Sequence, residues 1–302
     1  MDTFLQLTWN GLAHGTTYAL LGMSFGLILS VSFRFHTAYQ VTYILGAFTA
    51  AWLTTFYVTN FWLALVIGGI VAALVGVAIE TFIYQPLAKN SGGNSLLMIF
   101  VASLGVTIVV VNLLPLINPL NASVTIPTFT NGGHQIGPVT ITDLEIATFV
   151  TSWVLILGIG TMLATTSLGR MIRAVAVNPE MAMSVGVDPK RIFLIVFAIG
   201  SFMSGVAGVF SATQTAARPD LGITPFFYAL VVAFVSSLAS NSNMTLYVGL
   251  GLGLLESWVT AFMPTELSPL IVFVILFIYV ALRPVDFAAL RRKYAPPKTS
   301  GG

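Results

Sequence analysis

Long apolar runs that are almost free of charge recur from one end of this chain to the other, and they constrain its fold more than any other feature. They cover 10–33, 37–58, 61–83, 95–118, 144–165, 192–215, 225–240, 245–263 and 268–283. A bilayer's hydrocarbon core takes roughly 20 apolar residues per helical crossing, and most of these runs have that length. Charged residues make up 7% of the chain and apolar residues 57%, whereas a soluble domain carries about a quarter charged residues. Too little polar surface is left to solvate a globule. The expectation is an all-α, polytopic transmembrane bundle of about eight or nine spans. The run at 225–240, between Pro225 and Asn241, is short, which leaves re-entry or strong tilt open.

Charge orients the stack. With the N-terminus outside and every run crossing, the inner side holds Arg34, Lys89, Arg170, Arg173, Lys190, Arg191, Arg283, Arg291, Arg292, Lys293 and Lys298. Of the 12 basic residues only Arg218 is left outside. Basic residues mark the cytoplasmic side, and acids weigh little in that rule. The C-terminus is therefore expected in the cytoplasm. Met1-Asp2 lacks a basic start and the first run continues too long, so no cleavable signal peptide is expected. Residues 1–290 read as one transmembrane domain, and 291–302, rich in Pro, Lys and Gly, as a disordered cytoplasmic tail. The absence of cysteine excludes disulfides and Cys-ligated metals.

Two connecting segments have their own character. Between Leu120 and Asp143, VTIPTFT and IGPVTIT flank Asn131-Gly132-Gly133, a hairpin signal. Thr166 to Arg191, on the cytoplasmic side, is the only long internal stretch with several charges of both signs. Within it Asn178 caps a helix, Pro179 suits its first turn, and Glu180 favours its positive end. Gly186 is placed to end it, and Asp188-Pro189 begins the next helix.

Inside the runs, small residues at helical spacing form ladders at Gly68, Ala72 and Gly76, at Gly200, Ser204 and Gly208, and at Gly249 and Gly253. Such faces let helix backbones approach closely in lipid. Polar groups within apolar runs are candidates for a conduit, because each is costly in lipid unless paired or hydrated. Glu256, expected mid-span in the run 245–263, is the clearest. Gln40, Thr42 and Tyr43 at the start of the second run, with Asn112 and Gln214, complete the set. Each alone also suits a bundle hydrogen bond. Together they suit a narrow path for a small amphipathic solute. His14, His36 and His134 are scattered without metal-ligand spacing, and no nucleophile–base pair is evident, so neither a metal site nor an enzyme is expected.

The cytoplasmic stretch also carries a resemblance. Leu168-Gly169-Arg170-Met171-Ile172-Arg173-Ala174-Val175, then Asn178-Pro179-Glu180, Ala182 and Gly186-Val187, resemble the loop of permease subunits of bacterial ABC importers for branched-chain amino acids. Phe197-Ala198, Gly200-Ser201, Gly205 and Ala207-Gly208 continue the match. Asn10-Gly11-Leu12, Leu45-Gly46-Ala47, Pro86-Leu87, Leu104-Gly105 and Gly253-Leu254-Leu255-Glu256 extend it over nearly the whole chain. The chain departs from the family at His36-Thr37-Ala38-Tyr39-Gln40-Val41, where the family usually has Asn-x-Ala-His-Gly-Glu, and at Arg283-Pro284-Val285-Asp286.

The resemblance implies a multi-pass protein of the bacterial inner membrane. It implies a coupling helix at Asn178–Gly186 docked on an ATP-binding subunit, a second permease subunit, identical or related, and a periplasmic binding protein. No nucleic-acid partner is expected. The chain has no phosphate-binding loop, so ATP and magnesium belong to the partner subunit and this chain holds no cofactor. The expected solute is a branched-chain or other hydrophobic amino acid. Urea or a short amide, or an ATP-independent carrier, are the alternatives.

Overall fold

In the computed structural model the described residues are 2–57, 60–90, 95–117, 123–126, 132–236 and 242–262, with isolated positions at 267, 270, 274 and 278. Apart from those positions, the run at 268–283 lies outside them, as do Asn131, Arg283–Asp286 and the tail 291–302.

The chain folds as helices in sequence order: α1 (Asp2–Ser32), α2 (Tyr39–Phe56), α3 (Phe61–Ile79), a π-helical turn (Glu80–Tyr84), α4 (Gln85–Asn90) and α5 (Ser95–Ile117). A two-stranded hairpin, β1 (Gly133–Ile136) and β2 (Val139–Thr142), leads into α6 (Asp143–Thr165). Then come α7 (Ser167–Val177), α8 (Pro179–Ser184), α9 (Pro189–Thr215), α10 (Ile223–Val235) and α11 (Ser242–Val259). Five of these segments are long and apolar enough to cross a membrane: Thr3–Ser32, Phe61–Lys89, Ser95–Ile117, Asp143–Thr165 and Pro189–Thr215. This is the polytopic helical bundle that the apolar runs predict.

Two ends can be told apart. Gln6 pins the hairpin to the start of α1 by bonding the N–H and C=O of Thr140. At the opposite end lie Arg34, Lys89, Arg170, Arg173, Lys190 and Arg191. Among the seven described Lys and Arg residues, only Arg218 sits at the hairpin end.

The small-residue ladders are where the helices meet. Gly46 of α2 and Gly205 of α9 touch so closely that a Cβ on Gly46 would lie 2.6 Å from the Cα of Gly205. Gly68 and Gly76 of α3 face Gly46 and Ser201, while Gly200 and Gly208 of α9 face Ser24 and Tyr43. On the other flank Gly249 and Gly253 of α11 rest on Ala19 and on Gly11 and Gly15 of α1. Lipid offers no hydrophobic drive between helices, so close backbone approach does the binding.

Two expectations are corrected in detail. The hairpin forms, but its turn is Gly137-Pro138 rather than Asn131-Gly132-Gly133. Gly137 has φ +64, a conformation that favours glycine, and strand pairing starts at Gly133. Glu256 lies in the last turn of α11 rather than mid-span, because that helix ends at Val259.

The short run forms a helix too short to cross a bilayer by itself. α10 has 13 residues and is about 20 Å long, less than a hydrocarbon core of roughly 30 Å. Near its start Phe226 packs edge-on against Phe25 and Phe35, then Tyr228 stacks on Tyr18 at 4.3 Å between centroids and Val232 meets Gly22. From Thr245, also beside Gly22, α11 climbs back until Ser257 donates to the carbonyl of Leu7 at 2.5 Å.

Candidate functional site

Two features at opposite ends concentrate chemistry. At the basic end the Asn178 side chain accepts hydrogen bonds from the N–H groups of Glu180 and Met181 at 3.0 and 3.1 Å, with Pro179 in the first turn of α8. Gly186, at φ +85, stops the helix, and the N–H of Val187 returns to the carbonyl of Ala182 at 3.0 Å. Ala182 is buried against a cluster that includes Ile172, Val175, Ile192, Val196 and Phe197. Around this anchor Met181, Met183 and Val185 are exposed by 68%, 55% and 76%. A short capped helix is thus rooted in the bundle and presents an apolar face outward, the kind of patch that marks an interaction site.

Behind it the turn between α1 and α2 is inserted into the bundle. His36, Thr37, Ala38 and Tyr39 are buried. Arg34 pairs with Glu80 at the π-helical turn, His36 Nδ1 lies 2.7 Å from the hydroxyl of Tyr84, and Thr37 bonds Ser103 of α5. Burial first, and the Arg34 charge second, push the His36 imidazole down to about 3, so the ring is neutral. The stretch from His36 to Val41 is buried in the bundle. It plugs the space between α3, α5 and α9.

At the hairpin end, two adjoining cavities of ≈380 and ≈280 Å³ share His14, Thr17, Thr148 and Gln214. They form one vestibule between α1, α6, α9 and α10. Its mouth carries Glu145, Arg218 and Asp220, and its floor includes Leu21, Tyr43, Phe210 and Leu221. Glu145 is held by a capping box with Thr142. Arg218 and Asp220 stand on the turn after α9, where Ala216 adopts φ +90 and Ala217 pairs with Val124 through bonds of 3.0 and 2.8 Å. A non-glycine residue keeps such a conformation only where its surroundings over-determine it, and such strain clusters at functional sites.

The structure brings two of the six path candidates together. Tyr43 and Gln214 share the vestibule wall. Gln40 is buried with Gly222 packed on its backbone, and Thr42 bonds the carbonyl of Tyr39 and the hydroxyl of Ser204. Asn112 sits on the exposed face of α5 and donates to the carbonyl of Ile108 at 2.7 Å. Glu256 stands one bond behind the wall, accepting from the hydroxyl of Tyr228 at 2.6 Å, and Tyr228 lines the vestibule. Sequence reasoning missed His14, Glu145, Arg218 and Asp220 as a group. Arg218 did carry a signal, as the one basic residue outside.

Comparison with known proteins agrees with this architecture. Residues 7–280 match the family described as branched-chain amino acid transport system, permease component. LivH of Escherichia coli, a high-affinity branched-chain amino acid transport system permease protein, is 26% identical over 93% of this chain and 94% of its own. BraD of Pseudomonas aeruginosa, named likewise, is 25% identical over the same shares. A shorter stretch, 25% of this chain and 21% of the relative, is 36% identical to FruF of Bifidobacterium longum, a fructose import permease protein. The fold resembles a chain of PsaBC from Streptococcus pneumoniae solved in complex with Fab, with TM-score 0.53 and 14% identity over 96% and 95% of the two chains. A family match across almost the full length, carried by a helical bundle of this shape, places the chain among the permease components of branched-chain amino acid transport systems.

Proposed function

We propose that this chain is the membrane-spanning half of a binding-protein-dependent ABC importer and carries branched-chain or other hydrophobic amino acids across the bacterial inner membrane. The observation that carries this reading is α8: capped by Asn178, stopped at Gly186, rooted by Ala182, and apolar on its free face. A carrier that works without ATP has no need of such a helix. On this reading Asn178, Pro179, Glu180, Ala182 and Gly186 form the coupling element that docks on an ATP-binding subunit.

The basic end faces the cytoplasm, since six of the seven described cations lie there. The N-terminus and the vestibule then face outward, where a periplasmic binding protein delivers solute, and the C-terminus is cytoplasmic. A second permease copy or a related subunit completes the transporter, and ATP with magnesium is held by the partner ATPase. The amino-acid assignment rests on the family and on LivH and BraD over nearly the whole length.

The test is a pull-down from detergent with wild type and Glu180→Arg. An ATP-binding subunit should co-purify with wild type and be lost from the variant. Binding to neither form would leave the coupling helix without a partner and favour an ATP-independent carrier.

A further inference from the structure

Arg218 is an exception that needs a reason. Every other described Lys or Arg lies at the basic end, and this one stands at the mouth of the vestibule on a strained turn. Its Nε is 3.8 Å from Oδ1 of Asp220, too long for a hydrogen bond. Neither side chain makes a hydrogen bond to another described residue. Two opposite charges are thus set side by side as a loose, half-exposed ion pair. Below them Leu21, Phe210 and Leu221, beside the ring of Tyr43, make an apolar patch of floor in a lining that also holds Thr17, Ser211, Gln214 and Thr224.

We propose that Arg218 and Asp220 receive the carboxylate and ammonium of an α-amino acid, while its hydrocarbon side chain rests on the apolar floor. This rests on the permease reading above and deepens it. A guanidinium recognises a carboxylate through two parallel charge-assisted bonds, and Asp220 accepts from the ammonium. The two charges of an α-amino acid sit on one carbon, so a receiving pair must also be adjacent, as this one is. Urea would use neither the charges nor the apolar surface. The charge pair and the apolar patch together therefore favour a hydrophobic zwitterion over urea.

The experiment uses the complete importer in proteoliposomes with its ATPase and binding protein, and reads leucine uptake and ATP hydrolysis together. Arg218→Gln should lower leucine moved per ATP hydrolysed by about tenfold or more, the effect of losing one charge-assisted contact. Hydrolysis stimulated by the binding protein should persist. The exchanged pair Arg218→Asp with Asp220→Arg should regain part of the uptake. Wild type should transport leucine but neither isopentylamine nor 4-methylpentanoate, which lack one charge each. Unchanged coupling in Arg218→Gln would overturn the assignment. Parallel loss of uptake, stimulated hydrolysis and binding-protein capture would also overturn it, making Arg218 a docking contact. A wild-type complex that moves no leucine despite ATP hydrolysis overturns the amino-acid reading itself, a result the variants cannot mimic.

Discussion

His36 shows how a single residue reports on the whole bundle. Its ring is enclosed by Tyr39, Tyr84 and Phe197, beside the buried Arg34–Glu80 pair. A protonated imidazole there would be both desolvated and repelled by Arg34. The folded chain holds the group at about 3, against 6.5 for a free histidine. The unfolded chain therefore binds a proton below 6.5 that the folded chain refuses. The stabilisation is complete above 6.5 and is lost progressively as pH falls toward 3. The melting temperature in detergent should drop between about pH 7.5 and 5, and His36→Gln should flatten that slope even if it lowers the plateau. An unchanged slope would mean another group titrates. Sequence reading placed His36 in an inner turn and saw a departure from the family. Only its neighbours say that the turn is a buried plug.

At the scale of elements, the seams between helices are set by glycine. Gly46→Val would drive a side chain into the backbone of Gly205 and separate α2 from α9. Overpacking of this kind costs about 1–3 kcal/mol, and with backbone on the other side the upper end is expected. Gly105 of α5, with nothing within 4 Å of an added Cβ, should accept alanine with a change within about 0.5 kcal/mol. Comparing the two melting curves checks the contrast, and equal losses would refute the packing account. The ladders at 68–76, 200–208 and 249–253 were legible because spacing alone puts small residues on one face. Their partners were not legible, since Gly11, Gly15 and Gly46 matter only through the helix that lies opposite. The hairpin was legible as a hairpin, but its turn was misplaced, because Asn-Gly and Gly-Pro both suit a reversal and strand pairing decides between them.

On the scale of the whole molecule, α9 joins the two ends. Ile192, Val196 and Phe197 pack in the cluster that anchors Ala182, and Phe210 and Gln214 of the same helix line the vestibule. α10 closes the far wall through Tyr228, which stacks on Tyr18 and bonds Glu256 of α11. The other oxygen of Glu256 is buried without a hydrogen-bond partner among the described residues. Tyr228→Phe would remove the bond that Glu256 accepts from that hydroxyl and should destabilise the chain by about 1–3 kcal/mol, read as a lower melting temperature. Glu256→Gln should cost less, because the amide keeps an oxygen that can accept from Tyr228. The reverse order would place Glu256 in contact with water or solute.

Hydropathy and charge order along the chain settled much by themselves: a helical membrane bundle, one basic end, and a capped helix between Asn178 and Gly186. Those properties are local, since a span needs only its own length and a cap only its own side chains. Which polar residues meet was decided by the tertiary structure. Gln40, Thr42, Tyr43, Asn112, Gln214 and Glu256 are alike as polar groups in apolar runs. Yet helix rotation and crossing turn two into a shared wall, bury two in packing, expose one and set one behind a tyrosine. Arg218 and Asp220 belong to a site only because the turn after α9 folds over the cavity that α1, α6 and α10 leave open.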